Sequence, residues 1–296
     1  MIIIGDMDSE KINFNLQEKG YCIITNVLNK EEIEFSREKF FEWYNSTPNL
    51  AEQHLKLNPH NIMKYHEAAH QEFAWYIKTN PKVIDIFKKI YNTEDLVVSF
   101  DGCCYYPKNT KLSTNCWTHT DISPKLSKDM NCIQGFISLT DNKENSLLVY
   151  EGSNKLHTQY FKDRNMEKES NNWQMIDKDY LRTIENNKIV LNIPAGSLVL
   201  WDSRTFHQNI MQNKNEERLV QYICYLDKNH KKNTKSMKEK RLKYFNERRL
   251  TSHWPYPIKV VSKQAHTWGN KSLEIDYSLL KKPDLIKYED KIMELL

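Results

Sequence analysis

Residues 194–207 read Pro-Ala-Gly-Ser-Leu-Val-Leu-Trp-Asp-Ser-Arg-Thr-Phe-His. The turn-forming triplet Pro194-Ala195-Gly196 opens this stretch, and an apolar run that ends at Trp201 follows it. A short apolar run bounded by turn residues is typical of a buried β-strand. The stretch therefore predicts one core strand with a histidine, His207, a short distance beyond its end.

Five further segments share this texture of short runs rich in β-branched or aromatic residues. They are residues 96–100, 132–139, 146–150, 188–193 and 218–225. Many short strands between about residues 96 and 226 predict a compact β-barrel or sandwich with helices packed outside it. The expected fold class is therefore mainly β with flanking helices.

Residues 1–95, which precede this core, read as mostly helical. Asn29 is a candidate N-cap, and acidic residues in the first turn and an apolar stripe follow it. The stripe consists of Ile33, Phe40, Phe41, Trp43 and Tyr44. A second helical pattern covers residues 63–77, the pair Asn80-Pro81 interrupts it, and residues 83–91 supply a third.

Residues 227–296 form a basic C-terminal extension in which lysines and arginines are frequent up to Arg249. The extension is either a solvated, partly helical segment or a patch for phosphates or nucleic acid. The first interpretation is favoured because few aromatic residues interleave with the charges. No repeat and no Pro/Gly/Ser-rich linker divides the chain, so we expect a single domain over residues 1–296.

Composition excludes several classes of protein. The 296 residues are 39% hydrophobic and 11% aromatic, which indicates a folded chain with a sizeable core. No apolar run approaches the ~20 residues of a membrane span, and the opening Met1–Asp6 turns acidic too soon for a signal peptide. We therefore expect a soluble, cytoplasmic protein that does not bind a membrane.

The net charge, the glycine content and the cysteine pattern argue against further classes of protein. The net charge of +4 is too small to imply nucleic acid by itself, so a nucleic-acid partner is not expected. With only seven glycines, the chain contains no glycine-rich phosphate-binding loop. The six cysteines include no C-x-x-C pair, which favours reduced, mostly buried thiols over disulfides or a zinc framework.

The first of two metal-binding patterns is His66-Glu67-Ala68-Ala69-His70, an H-E-x-x-H sequence. On a helix its two histidines would share one face and bind zinc, with Glu67 as the base that activates water. The glycine and third histidine of the extended motif are absent, since Phe73 and Tyr76 stand in their places. A zinc metallopeptidase is therefore a rival hypothesis, and the alternative is a helix with two ordinary histidines.

The second pattern is Trp117-Thr118-His119-Thr120-Asp121, which contains an H-x-D. In a strand, residues two apart point to the same face, so His119 and Asp121 would both project inward. A third ligand from another strand, for which His207 is the candidate, would complete a two-histidine, one-carboxylate triad of the kind that holds Fe(II) with open positions. Arg218, which opens the last strongly apolar run, could grip a carboxylate with two hydrogen bonds.

With these residues in place, the sequence resembles the phytanoyl-CoA dioxygenase-like branch of the Fe(II)/2-oxoglutarate-dependent dioxygenases. The matching stretches are residues 117–121, residues 137–141 leading to 147–155, and residues 194–207. The resemblance implies a double-stranded β-helix, that is, a jelly-roll or cupin-like barrel. It also implies that His119, Asp121 and His207 are the iron ligands and catalytic centre, and that Arg218 anchors 2-oxoglutarate. Asn209 replaces the Ser or Gly frequent two residues after the distal histidine, and it is expected to hydrogen-bond the co-substrate carboxylate.

The resemblance implies that the protein hydroxylates an unactivated C–H bond, consumes O₂ and 2-oxoglutarate, and releases succinate and CO₂. Related halogenases lack the carboxylate ligand, so Asp121 favours hydroxylation over halogenation. The substrate class implied is a small molecule, or one bearing CoA or a phosphate. Besides the zinc peptidase, a non-catalytic binding protein on the same fold remains an alternative, and neither the substrate nor the oligomeric state can be read from the residues.

Overall fold

The computed structural model of the chain describes residues 3–4, 8–112 and 115–296. Most of the opening stretch Met1–Asp6, from which we expect no signal peptide, therefore lies outside the described residues. The chain divides into two compact units. The first unit contains residues 1–26 and 106–218, and the second contains residues 27–105 and 219–296.

Helices flank short strands along the described chain. The α-helices are α1 (Ser9–Glu18), α2 (Lys30–Ser46), α3 (Leu50–Leu57), α4 (Glu72–Lys78), α5 (Pro81–Tyr91), α6 (Ser153–Lys162), α7 (Lys178–Thr183), α8 (Lys235–Asn246) and α9 (Glu289–Leu295). The strands are β1 (Ile3–Ile4), β2 (Tyr21–Ile24), β3 (Ile62–Met63), β4 (Leu96–Val98), β5 (Cys103–Tyr106), β6 (His119–Thr120), β7 (Ile133–Ser138), β8 (Leu147–Tyr150), β9 (Gln174–Met175), β10 (Lys188–Val190), β11 (Leu198–Asp202), β12 (His207–Asn209) and β13 (Arg218–Asp227). All six predicted core runs form strands, each within two or three residues of its predicted bounds.

In the first unit, β11 lies between β2 and β7 and is antiparallel to both. β1 extends this group as the parallel neighbour of β2. The sequence does not predict that β2 pairs with β11, because a four-residue run between helical patterns is too short to indicate its neighbouring strand. Residue pairing places Gln134 opposite Trp201, so these two side chains share one face of the sheet.

A second sheet in the same unit has the strand order β10-β8-β12-β6-β9, and every neighbouring pair is antiparallel. His119 pairs with His207 on one side and with Met175 on the other. Residues that lie directly opposite each other in an antiparallel ladder project from the same face. The two histidines and Met175 therefore stand in one row on one face of this sheet.

Helices cover the other face of the second sheet, as the sequence predicts. Leu148 and Tyr150 alternate with Val149 along β8 and therefore point away from the row that contains His207. These two residues pack in a buried apolar cluster with residues from α6 and α7, which include Tyr160, Phe161 and Leu181. Flanking helices and mainly antiparallel sheets are thus confirmed. Closure of the sheets into a jelly-roll barrel stays a prediction, and so does the single domain over residues 1–296.

The second unit contains the remaining helices together with β3, β4 and all of β5 and β13 except Tyr106 and Arg218, which belong to the first unit. Asn29 caps α2 as predicted, and it forms a capping box with Glu32. Asn80 caps α5, whose first residue is Pro81. β13 pairs antiparallel with β4, while β5 pairs with β3. The basic extension is helical over α8, where the Thr234 side chain accepts a hydrogen bond from the Met237 amide.

The single helix predicted over residues 63–77 is wrong. His66 and Glu67 have φ values of 56° and 57°, in the left-handed region, and they form a turn. A short 3-10 helix (Ala68–His70) follows, and α4 begins only at Glu72. Tertiary partners stabilise the turn, since His66 hydrogen-bonds Gln53 and Glu67 forms an ion pair with Arg248. These contacts outweigh a helical pattern in the local sequence.

Three buried histidines of the second unit are expected to make its stability sensitive to acid. Burial lowers the pKa of His54 and His66 to about 4 and that of His70 to about 3. An unfolded histidine titrates near 6.5, so below that pH the unfolded chain binds more protons than the folded one. The free energy of unfolding should therefore fall as pH decreases from about 6.5 towards 4, by about 1.4 kcal/mol per pH unit for each histidine.

Urea unfolding at a series of pH values between about 7.5 and 5 measures this effect, and the variant His70→Leu supplies the control. It removes one titrating group, so its pH slope should be smaller than that of the natural protein by about 1.4 kcal/mol per unit. An identical slope in the two proteins would show that His70 is already protonated when folded.

Two further expectations concern the whole described chain. All six cysteines are free thiols and five of them are buried, as predicted. Among the helices of the described residues, none combines the length and the apolar character needed to cross a bilayer.

Candidate metal centre

His119, Asp121 and His207 converge in the first unit. Asp121 Oδ2 lies 3.3 Å from His207 Nε2, and Asp121 Oδ1 lies 3.7 Å from His119 Nε2. The two imidazole rings are 4.4 Å apart between centroids. Within the described part of the chain, this is the one group of three or more potential ligand residues whose ligand atoms all lie within 4.8 Å of one another. The structure thus brings together the three residues that the sequence nominates.

Backbone carbonyls orient both histidines in the same way. His119 Nδ1 lies 3.1 Å from the Trp117 carbonyl oxygen, and His207 Nδ1 lies 2.8 Å from that of Thr205. A carbonyl oxygen only accepts hydrogen bonds, so each Nδ1 must carry the proton and each Nε2 keeps a lone pair. Burial lowers the pKa of His119, which favours the neutral, ligating form. Such outer hydrogen bonds are typical of metal-binding histidines.

The third member, Asp121, follows β6 directly and is held by the segment after β11. Its amide donates to the Ser203 carbonyl at 2.9 Å. Gln134 Nε2 donates to Asp121 Oδ2 at 3.1 Å and to Ser203 Oγ at 3.0 Å. The Gln134 orientation is unambiguous because a carboxylate oxygen only accepts. Gln134 therefore fixes the direction of the carboxylate from the neighbouring sheet.

Removing this support should weaken metal binding. Gln134→Met keeps the side-chain volume but loses both donors, and loss of such an outer-shell partner typically costs about 10–100-fold in metal affinity. Anaerobic titration with Fe(II) measures the affinity directly. Gln221→Met is the matched control, because Gln221 is equally buried but donates to the backbone carbonyls of Gly102 and Tyr222. Equal iron affinity in the two variants would show that Gln134 does not position Asp121.

Aromatic rings surround the two histidines. Trp117 stacks on His119 with centroids 4.8 Å apart and planes 19° apart. Trp173 approaches the same imidazole at 5.5 Å, and Trp201 lies 5.4 Å from His207. Trp117 is fixed in turn, because its indole Nε1 donates to the Asn209 carbonyl. The centre is consequently lined by rigid apolar surface, which strengthens electrostatic interactions within it.

The turn that delivers His207 packs against a glycine. The Gly20 carbonyl accepts hydrogen bonds from the Asp202 amide and from Thr205 Oγ1. Gly20 has φ +82°, and a Cβ there would lie 2.5 Å from Thr205 Oγ1. A side chain at this position would push away the residue whose carbonyl orients His207, so the close approach requires glycine.

Arg218 and Asn209, the residues nominated for the co-substrate, both lie in the first unit. Arg218 is fully buried, and its guanidinium lies 5.4 Å from the Phe136 ring and 5.9 Å from the Tyr106 ring. Phe136 is two residues from Gln134 on β7, so both point to the same face of that strand. Asn209 likewise shares a face with His207 on β12. The Arg218 guanidinium therefore lies near a ring on the face of β7 that carries Gln134, and Asn209 projects from the face of β12 that carries His207.

The H-E-x-x-H segment does not form a zinc site, and the peptidase hypothesis is wrong on this point. His66 Nε2 lies 2.8 Å from Gln53 Oε1, and His70 Nε2 lies 2.9 Å from the Arg249 carbonyl. Glu67 is paired with Arg248 at 2.6 Å. Because the segment is a turn and a 3-10 helix, the two histidines do not share one helical face, and each binds a different protein partner.

Sequence reasoning did not assign three residues of the centre. Gln134 lies in the predicted run 132–139, but alternation alone cannot say which face of that strand is turned towards the ligands. Ser203 carries no recognisable signal, since it acts largely through its backbone carbonyl. Trp173 lies near β9, a two-residue strand that no pattern predicts. The pairing of β9 with β6 is what brings Trp173 to His119.

Two imidazole nitrogens and one carboxylate form the donor set of non-haem Fe(II) sites. The orientation of both Nε2 lone pairs and the support of Asp121 satisfy what such a site demands of its surroundings. The residues present therefore fit an iron ion.

The sequence model of the phytanoyl-CoA dioxygenase family matches residues 16–209. This segment is about two thirds of the chain and includes all three members of the cluster. The protein belongs to the phytanoyl-CoA dioxygenase family. Membership makes it an oxygenase, and Arg218 lies just beyond the matched segment.

Several individual proteins are similar to this chain in sequence or in structure. Ava biosynthesis cluster protein O of Aspergillus versicolor is 27% identical over 232 residues, which cover 71% of this chain and 75% of that protein. The crystal structure of a hypothetical Escherichia coli protein, JW0805, has a TM-score of 0.65 at 11% identity and covers 98% of this chain and 85% of its own. That of EctD from S. alaskensis has a TM-score of 0.52 at 11% identity, with coverage of 75% and 76%. The two structural similarities show that the fold is shared.

Proposed function

We propose that the protein is an Fe(II)/2-oxoglutarate-dependent dioxygenase. It hydroxylates a C–H bond of a small-molecule substrate, or of one that bears CoA or a phosphate. One O₂ and one 2-oxoglutarate are consumed, and succinate and CO₂ are released with the hydroxylated product. The observation that carries this proposal is the His119–Asp121–His207 cluster. Both histidines are buried with Nε2 unprotonated, and the ligand atoms of the three residues all lie within 4.8 Å of one another.

His119, Asp121 and His207 would hold the iron. A bound Fe(II) supplies the redox chemistry of O₂ and 2-oxoglutarate, for which no side chain of this protein is suited. The two carbonyl-bonded imidazoles stay neutral and fixed in direction, and Gln134 holds the Asp121 carboxylate against rotation. Trp117 and Trp201 exclude water from the sides of the imidazoles. Together these residues bind the metal ion, fix the direction of its ligands and exclude water from the centre.

Arg218 binds the distal carboxylate of 2-oxoglutarate in this proposal. Its guanidinium is fully buried, and a buried charge is stable only when it is paired and hydrogen-bonded. The planar fork matches a carboxylate with two parallel hydrogen bonds. Asn209, on the same face as His207, offers an amide to the co-substrate. The structure of EctD, which shares the fold, contains 2-oxoglutarate and 5-hydroxyectoine, and this supports the choice of co-substrate.

Anaerobic titration with Fe(II), with and without 2-oxoglutarate, tests this function. We expect a weak visible charge-transfer band that needs both additions, and succinate formation once O₂ is admitted. Binding of both without succinate formation under any condition would favour the non-catalytic binding protein. Absence of iron binding would overturn the proposal.

A further inference from the structure

We propose that Trp173 and Met175 form the wall against which the substrate packs, and that this substrate presents an aromatic ring to them. We call these two side chains the Trp173–Met175 wall. The inference rests on the proposed function, because it names the substrate-binding part of that same site. Its physical basis is the placement of two exposed apolar side chains beside a candidate iron ligand.

The register of the second sheet places the wall. Met175 pairs directly with His119, which pairs directly with His207, so the three side chains stand side by side on one face. Neighbouring side chains in such a row have Cβ atoms about 4.5–5.5 Å apart. Trp173 lies two residues before Met175, and its ring approaches His119 at 5.5 Å. The wall is therefore a direct continuation of the ligand row.

Exposure distinguishes the wall from the core. Trp173 is 46% exposed and Met175 is 47% exposed, whereas His119 and His207 are buried. Single exposed apolar residues are common on protein surfaces and need no explanation. Here, two of them adjoin each other and a candidate metal ligand, on the edge strand of the sheet. The wall thus offers apolar surface at the point where a molecule would reach the centre.

Three hydrogen bonds hold the loop that carries the indole. Asn171 Nδ2 donates to the Trp173 carbonyl at 2.9 Å, and Gln174 Nε2 donates to the Asn171 carbonyl at 3.1 Å. Asn172 Oδ1 accepts from the Ser123 amide, which ties this loop to the segment after Asp121. A pre-ordered aromatic side chain loses little entropy when a ligand packs on it.

The chemistry of the wall selects the class of substrate. An indole face and a thioether offer no charge and no hydrogen-bond acceptor of strength, and Trp117 adds a second indole on His119. Aromatic pairs gain about 0.5–1.5 kcal/mol beyond the area that they bury. Methionine sulfur also makes favourable contacts with rings. An uncharged aromatic group therefore fits this surface better than an anion or a small, strongly hydrated molecule.

Calorimetric titration of the protein loaded with Co(II) and 2-oxoglutarate tests the inference, with 2-naphthylmethanol as the aromatic probe and D-glucose as a polar one. Co(II) replaces iron, so turnover does not enter the measurement. We expect binding of the naphthyl probe and none of glucose. Trp173→Ala should lower the probe affinity by about tenfold, Met175→Ala by less, and Trp173→Phe should restore most of it.

Trp268→Ala is the matched control, because Trp268 is 76% exposed and its ring contacts His266 rather than the cluster. Its probe affinity should stay within twofold of the natural protein. If Trp173→Ala and Trp268→Ala lower the probe affinity equally, or if neither lowers it, the proposal that the Trp173–Met175 wall binds the substrate is wrong. Succinate formation is measured separately. Succinate formation without probe binding would refute only the proposed role of the wall. Probe binding that depends on Trp173, without succinate formation, would refute only the proposed function.

Discussion

Alanine at His119, Asp121 or His207 is expected to abolish iron-dependent turnover, with a loss of about a thousandfold or more in each variant. Each substitution removes one of three donors whose ligand atoms lie within 4.8 Å of one another. Two remaining donors hold a divalent ion far more weakly than three. Iron stoichiometry after anaerobic loading and succinate formation are the two measurements. Circular dichroism should show that all three variants remain folded.

The histidines of the rejected zinc motif supply the controls for this experiment. His66→Ala and His70→Ala each leave a buried hydrogen-bond partner unsatisfied, which costs about 1–3 kcal/mol of stability. Both variants should melt at lower temperature, but their folded fraction should bind iron with unchanged stoichiometry. Stoichiometric zinc in the purified protein that disappears in His66→Ala would reverse the assignment of the two motifs.

Substitution of Arg218 is expected to produce the second largest effect. Arg218→Lys keeps the charge but loses the planar fork, so the 2-oxoglutarate KM should rise strongly while iron binding survives. Arg218→Ala should have a larger effect, since loss of one member of a buried charge pair costs about 3–5 kcal/mol. Succinate formation without substrate should decrease in parallel because it uses the same co-substrate site. Titration of the iron-loaded, anaerobic variants with 2-oxoglutarate measures the change.

Arg164→Lys is the matched control for Arg218. The Arg164 guanidinium also lies over an aromatic ring, Tyr160, at 3.8 Å, but its partner is Asp177. This substitution should leave 2-oxoglutarate affinity unchanged. If both Arg218 variants also bind 2-oxoglutarate within twofold of the natural protein, Arg218 is a structural residue. Glu216 and Glu217, two acids at the start of β13, are the alternative partners. The Glu216 carboxylate already accepts from the amides of Lys143, Glu144 and Asn145.

Short-range features of this protein could be predicted from its sequence. The core strands were identified because β-branched runs bounded by turn residues have few other conformations available. The cap at Asn29 could be predicted because its side chain bonds an amide only three residues away. The break at Asn80-Pro81 could be predicted because proline ends a preceding helix. Alternation in a strand places His119 and Asp121 on one face, and the resemblance to the phytanoyl-CoA dioxygenase family implies that these two residues and His207 are the ligands. The structure brings these three side chains into one cluster.

Long-range pairing was decided only by the tertiary structure. The chain from His66 to His70 is a turn rather than a helix because Gln53 and Arg248, distant in sequence, hold His66 and Glu67. Gln134 faces Asp121, and Trp173 reaches His119, because particular strands pair in a particular register. A shift of one residue in either strand would turn these side chains to the opposite face. Strand register depends on the packing of whole sheets, so a local sequence pattern does not determine it.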